Sequence, residues 1–423
     1  MRIKLFIAAL LTTLAMTSQN TGGNDSSDEY IRLNPELGAP TASADKVVRY
    51  PFIRYDLNRI NMNGDDWTLL AEKLEQAHSI ANFTIVHIGD SHIQADGNTG
   101  TTRKLLQQEY GDAGRGIIIP FRMARTNQPD DYKITSTSPF VTATLMRLPW
   151  PTRMGFTGVS LQPEKQRFSL NVEVKNSCGF FTILSHGDLT VEDVVSEGQP
   201  VPFSAEKNDD GVYVSLDSDC SKFTVEMSGN NVNIYGLDLR NDNSGVLYHA
   251  IGNNGASFAS YNGINDFGSQ LAALEPDLVI IALGTNDAFG RTVNPNVFRT
   301  QLESLVRKVK SGSPHAHVML VTPSECQRSS TVSTRSKKGG KKRVKSYAVN
   351  TNVAQVRGLI LDYGRKNNIP VYDFYAVAGG EGASDKWLEN GLLGKDRIHR
   401  TWKGYHLDGT LMYLALKKAL STK

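Results

Sequence analysis

The chain has 423 residues, a formal net charge of +3 and 39% hydrophobic residues, which is enough apolar material for a buried core and does not indicate global disorder. At about 150 residues per domain, this length predicts two or three domains. The small net charge argues against nucleic-acid binding by the protein as a whole.

The first 19 residues have the layout of a secretory signal peptide. Two basic residues precede the apolar run Leu5 to Met16, and small and polar residues follow in "TSQNTGG". The run is too short to span a bilayer comfortably, and no later segment has the composition of a transmembrane helix. We therefore expect export to the periplasm or the extracellular space, with residues 20–49 as a linker.

Strand and helix patterns alternate on both sides of a different middle region. The amphipathic segment "DDWTLLAEKLEQAHS" precedes the apolar strand "FTIVHI", and a helix is expected from Thr101 to Tyr110. The later strands "DLVIIAL", "HVMLVTP" and "IPVYDF" are separated by amphipathic helices, and "GYHLDGTLMYLALKKAL" closes the chain. This alternation predicts an α/β domain whose parallel sheet is covered on both faces.

The middle region, residues 121–243, has period-two alternation and turn residues in place of helical periodicity. Segments such as "RFSLNVEV", "GVYVSL" and "KFTVEM" predict an inserted antiparallel β-sandwich or jelly-roll domain. An insertion of roughly 120 residues has the size of a domain. Cys178 and Cys220 lie within it and could form a disulfide in an exported protein, but their spacing decides nothing.

A basic run, "RSKKGGKKRVK" (residues 335–345), follows the strand "HVMLVTP" and is expected at the carboxyl edge of the sheet, where α/β proteins bind ligands. A solvated loop is one interpretation. Contact with an anionic polymer or a polar glycan near the active site is the other.

Polar residues are concentrated at four points of the α/β domain. Ser91 in "HIGDSHIQAD" follows a strand and precedes a helix, so its hydroxyl is expected beyond the sheet near backbone N–H donors. "GNNGASF" and "LGTND" supply glycine and asparagine N–H groups that can stabilise an oxyanion. In "KDRIHRTWKGYH", Asp396 and His399 have a spacing that lets the carboxylate hold one imidazole nitrogen while the other faces the serine.

Together the blocks "GDSH", "NNGAS", "GTND" and "DRIH" resemble the four signature blocks of the SGNH/GDSL hydrolase superfamily. The resemblance implies that Ser91 is the nucleophile, with Asp396 and His399 as the acid and base. It implies an oxyanion hole made by Ser91, Gly255 and Asn286. It covers residues 50–120 and 244–423, and it implies a three-layer, flavodoxin-like parallel sheet.

The first block has His92 where leucine is commoner in the family, and this wording resembles the peptidoglycan O-acetylesterase branch. Members of that branch can carry a carbohydrate-binding-like β module after the first block, which matches residues 121–243. We expect Asp90 to brace the turn and His92 to shape the acyl or sugar pocket without serving as the base.

The resemblance implies a cofactor-independent serine esterase that removes O-acetyl or other short acyl groups from a carbohydrate, with peptidoglycan or another acetylated polysaccharide as substrate. The same triad can transfer an acyl group to a sugar, and a non-catalytic glycan-binding scaffold is a second alternative. A metal-dependent phosphoesterase would use ligands such as His87, Asp90, His92 and Asp96. That family also needs an early Asp-x-His and a later Gly-Asn-His turn, which this sequence lacks, so we expect no metal and interpret His87 as a core residue.

Overall fold

The computed structural model describes residues 49–79, 81–335 and 341–421. The predicted signal peptide, nearly all of the predicted linker and part of the basic run lie outside these residues. The described residues form sixteen strands, ten α-helices and two short 3-10 helices, Tyr55–Leu57 and Asp287–Phe289. In chain order the strands are β1 (Ile60–Asn61), β2 (Phe83–Gly89), β3 (Gly116–Ile118), β4 (Tyr132–Thr135), β5 (Phe140–Thr144), β6 (Val159–Pro163), β7 (Arg167–Ser196), β8 (Gln199–Pro200), β9 (Phe203–Asn208), β10 (Gly211–Arg240), β11 (Val246–Gly252), β12 (Leu278–Ala282), β13 (His317–Val321), β14 (Gln327–Arg335), β15 (Lys341–Val349) and β16 (Val371–Tyr372). The helices are α1 (Thr68–Glu75), α2 (Ser91–Gln94), α3 (Gly97–Tyr110), α4 (Phe258–Asn262), α5 (Phe267–Ala272), α6 (Pro295–Gly312), α7 (Asn352–Lys366), α8 (Phe374–Val377), α9 (Ala383–Glu389) and α10 (Trp402–Leu420).

The first sheet has six strands in the order β1-β16-β13-β12-β2-β11. All neighbouring pairs are parallel except the edge pair β1 and β16. Every residue of β2 is buried, which explains why its sequence is mostly apolar, with only Thr84 and His87 polar, rather than alternating. The predicted α/β class is confirmed.

Both faces of this sheet are covered by helices. Val86 and Ile88 point into a cluster shared with α6 and α7, whereas Phe83 and Ile85 point into a second cluster shared with α3 and α10. Successive strand residues face opposite sides of a sheet, so one strand contributes to both clusters. The helices thus hold β2 at the centre of three layers.

A second sheet, entirely antiparallel, contains eight strands from β3 to β10 and has its own buried cluster. The two long strands β7 and β10 pair with each other more than once: Thr224 of β10 lies opposite both Asn171 and Val195 of β7. The antiparallel character agrees with the sequence, whereas the sandwich or jelly-roll detail stays a prediction. Cys178 and Cys220 lie opposite each other on these strands as free, buried thiols.

Residues 336–340 of the basic run lie outside the described residues, and the described residues on either side of them belong to two strands. β14 and β15 form an antiparallel hairpin that leaves the sheet after β13, with Gln327 opposite Val349 at its base. Its strands are rich in serine, threonine and lysine and carry little apolar periodicity, so pattern analysis does not find them.

Candidate active site

Three neighbouring strands of the parallel sheet end at the same edge, and each is followed by a polar turn. Ser91 comes after β2, Gly255 after β11, and Asn286 after β12. β2 lies between β11 and β12, so the chain moves first to one side of it and then to the other. Such a switch opens a crevice at the carboxyl ends of the strands, which is where α/β proteins bind ligands.

The Ser91 corner is held by its neighbours. Asp90 caps α2, because its Oδ1 accepts the backbone N–H of His92 at 2.9 Å. Gly89 must lack a side chain, since a Cβ there would lie 2.2 Å from Ile93 Cγ1. The turn is therefore tight, and the Ser91 side chain reaches the cleft rather than the core.

The structure brings Ser91, His399 and Asp396 into one hydrogen-bonded chain. Ser91 Oγ lies 2.8 Å from His399 Nε2, and His399 Nδ1 lies 2.7 Å from Asp396 Oδ2. Asp396 Oδ1 also accepts the backbone N–H groups of Ile398 and His399, each at 3.0 Å. With the carboxylate accepting from Nδ1–H, the Nε2 lone pair is directed at the serine hydroxyl.

The pKa shifts of this pair have the signs that a base and its orienting acid need. The hydrogen bond to Asp396 raises the pKa of His399, and burial only partly opposes it. Burial raises the pKa of Asp396, but the hydrogen bond from His399 and the backbone N–H groups outweigh it, so this pKa falls to about 2. Asp396 is therefore a carboxylate at any pH at which His399 can act as a base.

Asn286 and Gly255 lie on the wall of the same cleft. Asn286 Nδ2 donates to the carbonyl oxygen of Ala256 at 2.9 Å and, over a longer 3.3 Å, to Asp90 Oδ2. Gly255 has a φ of +81°, which other residues rarely adopt. Gly252, the other glycine of this block, ends β11 instead, where a Cβ would lie 2.1 Å from the backbone nitrogen of Gln94.

Two buried carboxyl groups flank Asn286. Burial raises the pKa of Asp90 to about 6 and that of Asp287 to about 7. The Oδ2 atom of Asp287 is buried and has no hydrogen-bond partner among the described residues. Sequence analysis gave Asp90 a bracing role, which its helix cap supports, but nothing in the sequence singles out Asp287.

His92 differs from the expectation that it shapes the acyl or sugar pocket. It does not line the Ser91 cleft but packs behind it, 5.5 Å from the ring of His399. Arg400 Nη1 lies 3.0 Å from His92 Nδ1, and Tyr405 OH is also at 3.0 Å. A guanidinium can only donate, so Nδ1 is an acceptor and the ring is neutral. Burial, aided by Arg400, lowers the pKa of His92 well below its ordinary value.

Arg400 itself is fixed in the interior behind the site. It pairs with Asp408 at 3.4 Å, and the side chains are 6% and 7% exposed, respectively. Its Nη2 donates to Ser324 Oγ at 3.0 Å, and its guanidinium lies 4.9 Å from the ring centroid of Phe374. This arginine follows His399 directly in the chain, so its anchoring also fixes the position of the histidine backbone. Sequence analysis missed Arg400 because a buried arginine cannot be recognised from its neighbours in the sequence.

The four residues of the metal hypothesis have separate partners. His87 is buried in the core, as predicted, and its Nδ1 lies 2.8 Å from Tyr248 OH. Asp96 pairs with Arg103 and Arg115, each at 2.8 Å. Within residues 49–79, 81–335 and 341–421, no three His, Cys, Asp or Glu side chains converge in a group that could hold a metal ion.

The cleft around Ser91 has a volume of about 670 Å³. Besides the predicted residues, the side chains that line it include Asn127, Phe289, Ile398 and Tyr405. Gln94 ties two of its walls together: Oε1 accepts the backbone N–H of Asn254 at 2.7 Å, and Nε2 donates to Thr126 and Asn127. Asn127 belongs to the segment predicted as the insertion, so that segment reaches the site.

Part of the chain matches a known protein family. Residues 229–407 match the model of the GDSL-like lipase/acylhydrolase family. The matched segment contains Gly255, Asn286, Asp396 and His399, but not Ser91, which precedes the β-rich region. No curated protein is similar enough to the sequence to count as a match.

Solved structures also resemble the chain. A peptidoglycan O-acetylesterase superposes with a TM-score of 0.65 at 19% identity, and the match covers 85% of this chain and 97% of that protein. A lipase/acylhydrolase from Enterococcus faecalis superposes with a TM-score of 0.29 at 22% identity, and the match covers 41% of this chain and 77% of that protein. An acetylxylan esterase mutant from Geobacillus stearothermophilus has a TM-score of 0.29 at 17% identity, with coverages of 42% and 74%.

Residues 229–407 thus match the GDSL-like lipase/acylhydrolase family, and the chain as a whole shares the fold of a peptidoglycan O-acetylesterase. The predicted resemblance to that superfamily, with the overall fold of a peptidoglycan O-acetylesterase, is confirmed. No helix in the described part of the chain is long and apolar enough to cross a membrane.

Proposed function

We propose that the protein is a carbohydrate O-acetylesterase that acts through Ser91, His399 and Asp396 and forms an acyl-enzyme. The observation that carries this proposal is the continuous chain from Ser91 Oγ to His399 Nε2, at 2.8 Å, and from His399 Nδ1 to Asp396 Oδ2, at 2.7 Å. The proposed substrate class is an O-acetylated polysaccharide, with O-acetylated peptidoglycan as the first candidate.

In the first half-reaction, His399 Nε2 takes the hydroxyl proton while Ser91 Oγ bonds to the ester carbonyl carbon. The carbonyl oxygen becomes an oxyanion, which the backbone N–H groups of Ser91 and Gly255 and the amide of Asn286 stabilise. His399 then gives the proton to the departing sugar oxygen, and the carbon–oxygen bond to the sugar breaks. The acetyl group remains on Ser91, and the sugar leaves with a free hydroxyl.

In the second half-reaction, His399 takes a proton from water, and the hydroxide oxygen attacks the acetyl carbon. Collapse of the second tetrahedral intermediate releases acetate and returns the proton to Ser91 Oγ. Asn286 can serve both oxyanions because only one of its N–H groups is tightly held, on Ala256. The other makes the long 3.3 Å contact with Asp90, which an oxyanion can replace.

We also propose that the β-rich module, residues 121–243, is a carbohydrate-binding-like sandwich that forms one wall of the cleft. Met146 supports the position of the module at the cleft, because a Cβ on Gly255 would lie 3.7 Å from its Cε and Met146 is 47% exposed. The residues before the described chain support a further proposal, that the protein is exported and then processed near residue 19. Identification of the amino-terminal residue of the secreted protein tests the proposed export and processing.

The test of the activity is acetate release from O-acetylated peptidoglycan, from acetylated xylan and from 4-nitrophenyl acetate. We expect turnover by the wild type and its loss in Ser91→Ala. Ser269→Ala on α5 is a matched control, since Ser269 is exposed, does not line the Ser91 cleft, and donates from Oγ to the carbonyl oxygen of Asp266 at the start of its own helix. Undiminished turnover in Ser91→Ala would contradict the assignment of Ser91 as the nucleophile. If chelators then abolished the turnover of this variant, metal-dependent hydrolysis would be favoured.

A further inference from the structure

The Ser91 cleft has a polar side and an apolar side. β2, which leads to Ser91, lies between β11 and β12 in the sheet. Asn254 and Gly255 follow β11, whereas Phe289 follows β12, and all three line the cleft. Asn127, from the β-rich segment, belongs to the polar side because its side chain accepts a hydrogen bond from Asn254. A molecule bound beside Ser91 therefore meets a pair of amides on one side and an aromatic ring on the other.

One buried side chain fixes the orientation of the first amide. Gln94 is only 2% exposed, and one of its side-chain atoms lies 2.7 Å from the backbone nitrogen of Asn254. A backbone N–H can only donate, so this atom is the oxygen, Oε1, and the other is Nε2. Nε2 donates to the carbonyl oxygen of Asn127 at 2.7 Å and to its Oδ1 at 3.0 Å. The side chain of Asn127 is therefore turned with its oxygen towards Gln94.

The orientation of the second amide follows from that of the first. Because Asn127 Oδ1 is an acceptor, the Asn254 atom that meets it is the donor Nδ2, which also donates to Thr126 Oγ1 at 3.1 Å. Two polar atoms are left over, the Nδ2 of Asn127 and the Oδ1 of Asn254. Neither forms a hydrogen bond with any residue that the structure describes. Both residues are exposed and line the cleft, so a bound molecule meets a donor and an acceptor side by side.

The pair lies next to the proposed oxyanion hole. Asn254 directly precedes Gly255, and the Cα atoms of consecutive residues are about 3.8 Å apart. When the ester carbonyl oxygen accepts the N–H of Gly255, the sugar oxygen is bonded to the same carbonyl carbon. Substituents of the sugar then come within reach of Asn254 and of Asn127 beside it. Phe289, on the other side, offers no hydrogen-bonding side-chain atom.

We propose that Asn127 Nδ2 and Asn254 Oδ1 form a sugar-binding subsite of the Ser91 cleft, which binds a substituent that both accepts and donates, a hydroxyl or an acetamido group of the esterified sugar. This inference rests on the proposed esterase function, because it assigns the leaving-group side of the same cleft. An alkyl ester without such a substituent covers the two atoms without pairing them, which costs binding free energy.

The subsite is organised before a substrate binds. The buried side chain of Gln94 holds both amides in place, which reduces the conformational entropy that binding has to remove. Asn127 comes from the segment 121–243, and Asn254 comes from the hydrolase domain. Sugar recognition at the cleft thus depends on both parts of the chain.

The experiment uses the intact protein and two esters of the same shape. Methyl 6-O-acetyl-α-D-glucopyranoside carries ring hydroxyls, whereas cyclohexylmethyl acetate has the same arrangement of ring, methylene and acetate without them. The wild type is expected to have the higher kcat/KM on the sugar ester. In Asn127→Ala and in Asn254→Ala we expect the ratio of the two kcat/KM values to fall by about two- to tenfold, as for the loss of one neutral hydrogen bond.

A third ester separates the two kinds of substituent. It is the 2-acetamido-2-deoxy analogue of the sugar ester. A larger fall of the ratio for this ester than for the glucoside assigns the acetamido group to the subsite, and equal falls assign a hydroxyl.

Asn230→Ala is the matched control. Asn230 is an exposed asparagine on β10 of the same β-rich region, and it does not line the cleft. Its removal should leave the ratio unchanged. Both cleft variants keep the backbone groups that bond to Gln94, so we expect them to fold, and their thermal unfolding midpoints check this.

Three results would overturn the subsite. One is a wild type without preference for the sugar esters. The second is a wild-type ratio in both cleft variants. The third is an equal fall of kcat/KM on the sugar ester and on cyclohexylmethyl acetate, which would make the amides a structural support alone. If the wild type hydrolyses none of the esters, 4-nitrophenyl acetate included, the esterase function itself is contradicted, and the subsite with it.

Discussion

Two histidines lie on opposite sides of the Ser91 turn, with ring centroids 5.5 Å apart, and their environments shift their pKa values in opposite directions. On the cleft side, His399 contacts a carboxylate, its pKa is raised, and its Nε2 faces a hydroxyl. On the interior side, His92 contacts the Arg400 guanidinium, its pKa is lowered, and its Nδ1 is occupied. The comparison teaches that the partner, not the residue type or its distance from the serine, decides which histidine can serve as the base.

The largest effect expected from this comparison is the loss of His399. Replacement His399→Ala removes the proton acceptor of Ser91, and we expect kcat for 4-nitrophenyl acetate to fall by about 10⁴-fold or more. Steady-state kinetics with the wild type and His92→Leu in parallel checks this. The comparison fails if both variants lose activity to the same extent.

The next effect concerns the acid. In Asp396→Asn, we expect kcat to fall by up to about 10⁴-fold, because the imidazole loses the group that orients it. In the wild type, the acid limb of the pH profile of kcat/KM should have its midpoint above the ordinary pKa of histidine. The pKa of His399 is raised, so this residue becomes protonated, and is lost as a base, at a higher pH than an ordinary histidine. Removing the carboxylate should move any residual acid limb to lower pH. A pH–rate profile of both proteins measures it, and an unmoved limb would assign that pKa to another group.

The oxyanion donor comes third. Asn286→Ala should lower kcat by about 10²–10³-fold, as loss of one such donor does in other hydrolases. Because Ala256 and Asp90 also lose a hydrogen-bond partner, the thermal unfolding midpoint of the variant must be measured alongside the rate. Asn286→Asp is the matched variant: it keeps the size but places a negative charge beside the oxyanion, so it should be no better than alanine. A variant that retains full activity would remove Asn286 from the oxyanion hole.

The smallest effect on activity is expected at His92. In His92→Leu the buried Arg400 loses an acceptor, which costs about 1–3 kcal/mol of stability, while kcat should remain within about tenfold of the wild type. His92→Gln, whose side-chain oxygen can accept from Arg400, should recover part of that stability. Chemical denaturation and kinetics of the two variants separate a packing role from a catalytic one. A loss of activity as complete as that in His399→Ala would refute the packing role.

Much of the fold follows from sequence patterns because burial controls them. The mostly apolar run "FTIVHI" and the amphipathic helices between the later strands predict a doubly covered parallel sheet. The signature blocks predict which strand ends carry the polar side chains. The pairing of β7 with β10 could not be predicted, since alternation indicates a strand but not its partner.

The parts of the site that the sequence did not reveal depend on contacts between distant segments. Gln94 holds Asn254 and Asn127, and Arg400 holds His92, yet each of these side chains is unremarkable in its own stretch of sequence. The position of His92 depends on the same kind of contact: its neighbours in the motif suggest the pocket, whereas its partners across the fold, Arg400 and Tyr405, hold it behind the Ser91 cleft.

The central claim is that Ser91 is the nucleophile, and covalent trapping tests it most directly. The protein is treated with diethyl 4-nitrophenyl phosphate, which phosphorylates activated serines, and the adduct is located by peptide mass spectrometry while residual esterase activity is followed. We expect one adduct, on Ser91, that accumulates in proportion to the loss of activity and does not form in His399→Ala. An adduct on another residue that tracks inactivation, or full activity with Ser91 fully modified, would contradict it.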